Sequence, residues 1–254
     1  MKRSITLVKR CRRLWAAAFW LIVWQVAAMA VGQRLLLASP VETLLRLLQL
    51  IRTAAFWQSA LFSMGHILLG FGLAVALSIT FSALAARFTA VRELLSPPLA
   101  VIRSVPVASF VIVALIWIPS RRLSVLISFL IALPVLYEGV LAAISRTDPQ
   151  LLEMAHVFRM SPVNRLIHLY LPAVLPHFRA AAVTAMGLAW KSGVAAEVIG
   201  VPGGSIGEKL YKAKVYLATP DLFAWTLTIV LLSLLCTRAL SLLLDLLQRR
   251  LERM

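Results

Sequence analysis

Acidic residues and cysteines are scarce in this sequence, and each scarcity excludes a class of protein. Only 10 of the 254 residues are Asp or Glu, scattered between loops and helix ends, so the paired carboxylates of an acid–base enzyme are missing. The two cysteines, Cys11 and Cys236, stand near opposite ends of the chain, which excludes a disulfide framework and gives no metal-ligand spacing. The four histidines form no HExxH motif. We therefore expect neither an enzyme nor a metal site.

Charged residues of both signs are also few, at 14%, whereas hydrophobic residues reach 61%. A water-soluble domain of this length has roughly 45–50% apolar residues. The 26 Lys and Arg residues give a formal net charge of +16, but they are not gathered on one helix face with interleaved aromatics. This distribution argues against a nucleic-acid partner and leaves the lipid bilayer as the expected environment.

Long apolar runs dominate what is present. A bilayer core requires about 20 apolar residues per helix. Six runs meet this length, and the sequence predicts an all-α integral membrane protein with about six transmembrane helices: Leu14–Val31, Ala60–Ala85, Leu99–Ile118, Leu123–Ile144, Ala180–Ile199 and Leu222–Leu246.

The N-terminal 58 residues contain a basic tail, the first run and a shorter amphipathic segment. The tail and the first run resemble a secretory signal, but no clear cleavage site follows and the run is long enough to span, so we expect a retained helix. The segment Ser39–Phe56 has Leu44, Leu48 and Ile51 on one face, which predicts an interfacial helix. Ser39 suits its N-cap and Pro40 its first turn.

The distribution of Lys and Arg between the runs predicts the orientation. With a cytoplasmic N-terminus, the inside segments hold 14 of these residues and the outside segments hold 8. Because basic residues are enriched in cytoplasmic loops, we expect a multi-pass protein with both termini in the cytoplasm.

Two features of the runs leave their role open. The third and fourth runs contain four prolines that remove backbone N–H donors and loosen the helices: Pro97, Pro98, Pro106 and Pro134. These prolines either have no special role, since proline is common in membrane helices, or take part in gating. The Gly-rich stretch 200–209 resembles a phosphate loop, but Glu208 separates Gly207 from Lys209 and no Ser or Thr follows the lysine. We expect a turn or re-entrant loop there, without bound nucleotide.

Lys191 lies near the middle of the fifth run, six residues before Glu197. Charged groups at that depth are costly and face a bundle interior, a partner charge or water. Six residues place the two side chains about 120° apart around a helix, so they do not pair as i,i+4 neighbours. They either line a translocation pathway that favours an anion or form interhelical ion pairs.

The polar stretch Glu153–Pro172 stands between membrane-length apolar runs and predicts a loop that docks a partner. It resembles the EAA motif of ABC importer permeases, in which Glu-Ala-Ala is followed after three residues by Gly and later by Ile, one residue, and Leu-Pro. Glu153 and Ala155 match the first part, and Leu171 and Pro172 match the end. Met154 replaces the first Ala and Leu169 replaces the Ile.

Arg159 occupies the Gly position of that motif. A left-handed backbone is costly for Arg, so the break between the two short helices is expected to move to Ser161 and Pro162, as cap and first residue of the next helix.

Other segments share the resemblance in the same order. Leu68–Gly72 resembles the start of the permease core, Arg103–Pro106 a segment of the third helix, and Gly187–Glu197 the fifth helix of the nitrate/sulfonate/taurine type. The resemblance runs from about Ser59 to the C-terminus. It divides the chain into an N-terminal part, 1–58, and a permease core, 59–254, with the coupling loop at 145–177.

The resemblance implies a type I ABC importer permease-like bundle with a cytoplasmic coupling helix, in the inner membrane. The implied partners are a second permease copy, a cytoplasmic ABC ATPase dimer and an extracytoplasmic solute-binding protein. No cofactor is expected in this chain, because ATP and Mg would be bound by the partner ATPase.

The implied solute is small, of the nitrate, sulfonate, taurine, bicarbonate or vitamin-precursor class. The implied coupling residues are Glu153, Met154, Ala155, Val157, Phe158, Arg159, Ser161, Arg165, Leu171 and Pro172, with Lys191, Glu197, Arg103 and Pro106 on the translocation pathway.

Three alternatives remain at this point. An ion-coupled secondary transporter would use Lys191 and Glu197 for coupling and would need no partner chain. An intramembrane enzyme would need the catalytic groups that are missing. A permease of another ABC importer group, for amino acids or metals, would dock a different binding protein.

Overall fold

The computed structural model describes residues 2–33 and 36–251, without the side chains of residues 2–14, 17, 149 and 251. All regular secondary structure in these residues is helical. A π-helical turn, Leu166–Tyr170, lies between α8 and α9. The helices are α1 (Lys2–Val31), α2 (Pro40–Ile51), α3 (Ala54–Arg87), α4 (Thr89–Ser104), α5 (Val107–Ala114), α6 (Ser120–Ser145), α7 (Pro149–Val157), α8 (Pro162–Arg165), α9 (Leu171–Gly200), α10 (Ile206–Val215) and α11 (Thr219–Leu251).

The helix lengths confirm an all-α membrane protein. Within the described residues, four helical stretches are long and apolar enough to cross a membrane: α3, α6, the continuous stretch Pro162–Gly200, and α11. Helices α4 and α5 together form a fifth candidate that is bent by 103°. The first predicted span lies in α1, where the apolar stretch among the described side chains is the shorter Ala18–Val31.

The third predicted span, Leu99–Ile118, is broken by a sharp bend. Helix α4 ends at Ser104, Val105 is extended (φ −83°, ψ 132°), and α5 begins after Pro106. A proline ring disfavours helical backbone at the preceding residue and supplies no N–H for the next turn. Pro97 and Pro98 are accommodated inside α4, so the break falls at the single proline that follows Val105.

One compact unit comprises the residues up to Gln58 together with Lys209–Thr228. In it, Ser39 and Glu42 form a reciprocal capping box at the start of α2, with Pro40 in the first turn, which confirms the predicted cap. Arg46 of α2 makes a bidentate ion pair with Asp221. This contact raises the pKa of Arg46 above its usual value. The predicted division at residue 58 remains a prediction.

The second compact unit comprises Ser59–Glu208 and the residues from Ile229 onward. Its centre is the long packing of α6 against α9, which also contacts α5. The hydroxyl of Ser128 donates to the carbonyl of Ala189 at 3.0 Å, joining α6 to α9. A buried apolar cluster fills the space between α5, α6 and α9: Val111, Ala114, Leu123, Ile127 and Ala196.

Helix α3 packs closely against α6, and α11 is joined to α9 by an ion pair. Gly70 of α3 lies against the backbone of α6, where an added Cβ would overlap the carbonyl of Val125. Small residues permit such close helix packing in membranes. Arg179 of α9 pairs with Asp245 of α11, with Nε to Oδ1 at 2.6 Å. The second unit therefore holds α6 at a fixed position, and α6 leads directly into the polar loop.

Candidate functional site

The segment that joins α6 to α9 begins with a short capped helix. Helix α6 ends at Ser145, with Arg146 as its C-cap. The carboxylate of Asp148 accepts a hydrogen bond from the Gln150 amide at 2.9 Å and caps α7, and Pro149 occupies the first turn. Only three residues separate α6 from α7.

Helix α7 ends in a Schellman motif, a common C-terminal cap with one left-handed residue. Arg159 is that residue, with φ 49°. The Met160 amide donates to the carbonyl of Ala155 at 3.0 Å, and the Arg159 amide donates to the carbonyl of His156 at 3.0 Å. The turn therefore uses the geometry for which glycine is favoured, with an arginine in its place.

This turn corrects the sequence prediction at Arg159. The break does not move away from the Gly position, because the two Schellman hydrogen bonds satisfy carbonyls that would otherwise be unpaired at the helix end. The second half of the prediction is confirmed: Ser161 accepts a hydrogen bond from the Asn164 amide, and Pro162 begins α8. The left-handed turn and the new N-cap follow one another.

The side chain of Arg165 holds the turn together. Its Nε donates to the carbonyl of Met160 at 3.1 Å, and its Nη2 donates to the carbonyl of Ala155 at 3.3 Å. Arg165 is half-buried, whereas Arg159 is exposed. The resemblance implies a coupling role for both arginines; the structure places Arg165 against its own loop and leaves Arg159 exposed.

One face of α7 and its cap is apolar and exposed. The exposed fractions are 43% for Met154, 77% for Val157 and 73% for Phe158, whereas Ala155 is fully buried. Glu153 is also exposed, beside Met154. The loop thus presents a small apolar surface on a helix that is capped at both ends.

The closing Leu171 and Pro172 lie inside a continuous helix. Pro172 has no N–H, and its ring would collide with the carbonyl of His168 in an unbroken α-helix. The chain instead forms the π-helical turn Leu166–Tyr170, and the Leu171 amide donates to the carbonyl of Leu166. Such π turns inside α-helices often occur at functional sites. Among the described residues of this segment, α8, the π-helical turn and α9 therefore form one continuous helical stretch, Pro162–Gly200.

Lys191 and Glu197 of α9 face different surroundings. Lys191 is exposed, and Glu197 is fully buried. The hydroxyl of Ser63 donates to Oε2 of Glu197 at 2.6 Å, and the Gly207 amide donates to the same oxygen at 3.2 Å. The Ile206 amide in turn donates to the hydroxyl of Ser63 at 2.9 Å. Glu197 thereby fastens the first turn of α10 to α3 and α9.

Arg103 and Pro106 stand at the bend between α4 and α5. Nη1 of Arg103 lies 2.5 Å from Oε1 of Glu138 on α6, and both side chains are about half exposed. Pro106 is the N-cap residue of α5. The structure thus separates the four predicted pathway residues: two lie at the bend, Lys191 on an exposed face of α9, and Glu197 inside.

Some residues that build these sites were not identified from the sequence. Ser63 and Gly207 hold Glu197 from positions 134 and 10 residues away in the chain. The Gly-rich stretch, predicted as a turn or re-entrant loop, forms the short turn 201–205 and then α10. The sequence contains one hint of this contact, which is the high number of glycines in the stretch. Gly207 lies so close to Glu197 that an added Cβ would overlap it.

Comparison with known proteins gives a consistent result. Residues 78–253 match the family described as binding-protein-dependent transport system inner membrane component, more than half of the chain. A probable ABC transporter permease protein of Brucella melitensis is 28% identical over 81% of this chain and 83% of its own length. The putative aliphatic sulfonates transport permease protein of Bacillus subtilis is 26% identical, covering 80% and 74%. The taurine transport system permease protein of Escherichia coli is 27% identical, covering 90% and 83%.

Proposed function

Because the chain belongs to the family of binding-protein-dependent transport system inner membrane components, we propose that two copies of it form the transmembrane pathway of an ATP-driven importer for a small anionic solute. The chain itself is a multi-pass membrane permease subunit of an ABC importer. Permeases of this family work with ATPase and binding-protein partners.

The finer proposals concern the assembly and its place in the cell. The complex lies in the inner membrane with both termini of each permease in the cytoplasm. A separate ABC ATPase dimer binds ATP and Mg and performs the hydrolysis, and an extracytoplasmic protein delivers the solute. The excess of Lys and Arg in the segments assigned to the cytoplasm supports this orientation.

The observation that supports ATPase coupling best is the exposed apolar face of α7. Met154, Val157 and Phe158 are exposed on a helix whose end is tied by the Schellman hydrogen bonds and by Arg165. A short helix with an apolar face suits a groove on a partner protein. Because the loop is internally hydrogen-bonded, it moves as one body when the groove moves.

We assign individual roles within this surface. Glu153 anchors and shapes the short helix, and buried Ala155 allows it to pack closely. Exposed Arg159 is available to acidic groups of the ATPase, whereas Arg165 keeps the loop rigid. Ser161 starts the second helix, and Leu171 and Pro172 lie where that helix continues into α9. Movement of α7 then reaches α6 on one side and α9 on the other, so the bundle alternates its access.

The solute class follows from relatives and from charge. Two relatives are named as permeases for aliphatic sulfonates and for taurine, which is itself a sulfonate. Exposed Lys191 supplies positive charge to the proposed pathway. Arg103, paired with Glu138, stands beside the helix bend that Pro106 permits. We propose that Glu197 has a structural role instead, because its carboxylate is fully buried and holds α10.

The assembly is tested by affinity purification from membranes that contain one tagged and one untagged copy of the chain with its ATPase. The proposed function predicts that the untagged copy and the ATPase are both recovered. Val157→Asp places a charge on the apolar face and is expected to remove the ATPase while the second copy remains. Recovery of the tagged chain alone, without either partner, would contradict the proposed assembly.

A further inference from the structure

A polar pocket of about 430 Å³ lies between α4 and α6. Arg92, Ser96, Leu99 and Arg103 line it from α4, at intervals of four, three and four residues, which places them on one face of that helix. The opposite wall is the last part of α6 with its C-cap, Arg146. A volume of this size falls within the range of small-molecule sites.

The charges in this pocket are not balanced. Arg103 is paired with Glu138. Arg92 and Arg146 have no carboxylate at ion-pair distance among the described side chains, although both line the pocket. Both guanidinium groups are exposed and therefore open to a ligand. The pocket therefore has two positive charges in excess and is complementary to an anion.

The hydrogen-bonding groups agree with the charge. Two guanidinium groups offer planar pairs of N–H donors, which match the oxygens of a carboxylate, sulfonate or nitrate. Ser96 adds a hydroxyl on the same face of α4. The carboxylate of Glu138 is already occupied by Arg103, so donors outnumber free acceptors. This composition favours an oxyanion over a cation or a neutral solute.

We propose that this pocket binds a small oxyanion during its passage through the permease, with Arg92 and Arg146 as its direct ligands. The proposal rests on the proposed function, and it adds a defined solute site on the permease itself. Arg146 follows the last residue of α6 and stands two residues before Asp148, the cap of α7. The oxyanion is thus held beside the segment that we assign to ATPase coupling.

The first test measures binding of radiolabelled taurine, ethanesulfonate and nitrate to the purified permease–ATPase complex without the binding protein. We expect saturable binding of at least one of these oxyanions. The double variant R92Q/R146Q should weaken it by about tenfold or more, because charge-assisted hydrogen bonds are lost. Arg249→Gln removes an exposed arginine outside the pocket and should change nothing. Absence of saturable binding to the unsubstituted complex overturns the proposal.

A second pair of variants keeps both arginines and guards against a folding defect. Ala142 lines the pocket and is exposed, so Ala142→Glu introduces a carboxylate beside the two cations, and Ala142→Gln introduces the same bulk without charge. We expect A142E to abolish oxyanion binding and A142Q to retain most of it. Equal losses in both variants would show that charge does not govern the site, and would overturn the proposal.

Two other occupants give distinguishable results. Native mass spectrometry that shows phosphatidylglycerol bound to the unsubstituted complex and lost in R92Q/R146Q, with no oxyanion binding, would assign the pocket to a lipid headgroup. Separation of the two permease copies in A142E would assign it to the interface between them. In both cases the proposal fails, whereas retained ATPase association would leave the proposed function intact.

Discussion

Nη2 of Arg165 donates a hydrogen bond to the carbonyl of Ala155, 3.3 Å away, across the left-handed turn at Arg159. The two residues belong to different short helices, ten positions apart in the chain. Together with the hydrogen bond from Arg165 Nε to the carbonyl of Met160, this contact connects α7 and α8 rigidly. The stiffness of the loop therefore depends on a side chain as well as on the backbone.

Arg165→Ala is predicted to loosen this connection without unfolding the bundle. Hydrogen bonds from a charged donor contribute about 1.5–3 kcal/mol, and partial exposure of Arg165 reduces this to roughly 1–2 kcal/mol. Hydrogen exchange of residues 155–165 should accelerate in the variant. Arg165→Lys should behave similarly, because an ammonium group does not reproduce the two-pronged geometry. Unchanged exchange in both variants would show that the backbone cap alone holds the turn.

Arg159→Gly is predicted to stabilise the turn. Left-handed backbone costs an L-residue about 1–2 kcal/mol, and the greater freedom of glycine in the unfolded chain offsets about half of that. We expect a gain of up to about 1 kcal/mol, measured as slower hydrogen exchange of residues 155–160. Arg159→Val should destabilise the turn, since a β-branched residue at positive φ is strained. The opposite order of the two variants would contradict the left-handed assignment.

Gly207→Ala is predicted to destabilise the junction of α9 and α10. An added Cβ would overlap the Cβ and backbone carbon of Glu197 and the amide of Val198, which belong to a packed helix and have little room to move. The expected cost is about 1–3 kcal/mol, seen as a lower midpoint of thermal unfolding in detergent. Gly203→Ala is the matched control, because nothing lies within 4 Å of its added Cβ. Equal midpoints for the two variants would contradict the close contact.

The membrane fold was predictable from the sequence because it depends on composition and on local rules. Apolar runs of spanning length identified α3, α6 and α11, and the order Ser39-Pro40 identified the start of α2. The polar loop was recognisable because it interrupts those runs. These features require no knowledge of which residues meet in space.

Features that depend on specific contacts and on backbone geometry were not predictable in this way. The left-handed turn at Arg159 looked unfavourable from intrinsic preference, but it is stabilised by backbone bonds to Ala155 and His156 and by Arg165. Pro106 was recognised as loosening the third span, but its presence did not give the size of the bend, which is 103° between α4 and α5. The partners of Glu197 were not predictable either, since Ser63 lies in another helix, 134 residues away in the chain.

The central claim is that the exposed apolar face of α7 couples this permease to its ATPase. It is tested most directly by Phe158→Asp in the complex reconstituted in lipid vesicles with its binding protein, with the rate of ATP hydrolysis measured with and without solute. Phe88→Asp is the matched control, because Phe88 is also exposed but stands at the N-cap of α4, where Asp is favourable. The account predicts that F158D abolishes the solute-dependent increase in hydrolysis while F88D retains it. An undiminished increase in F158D would contradict the claim.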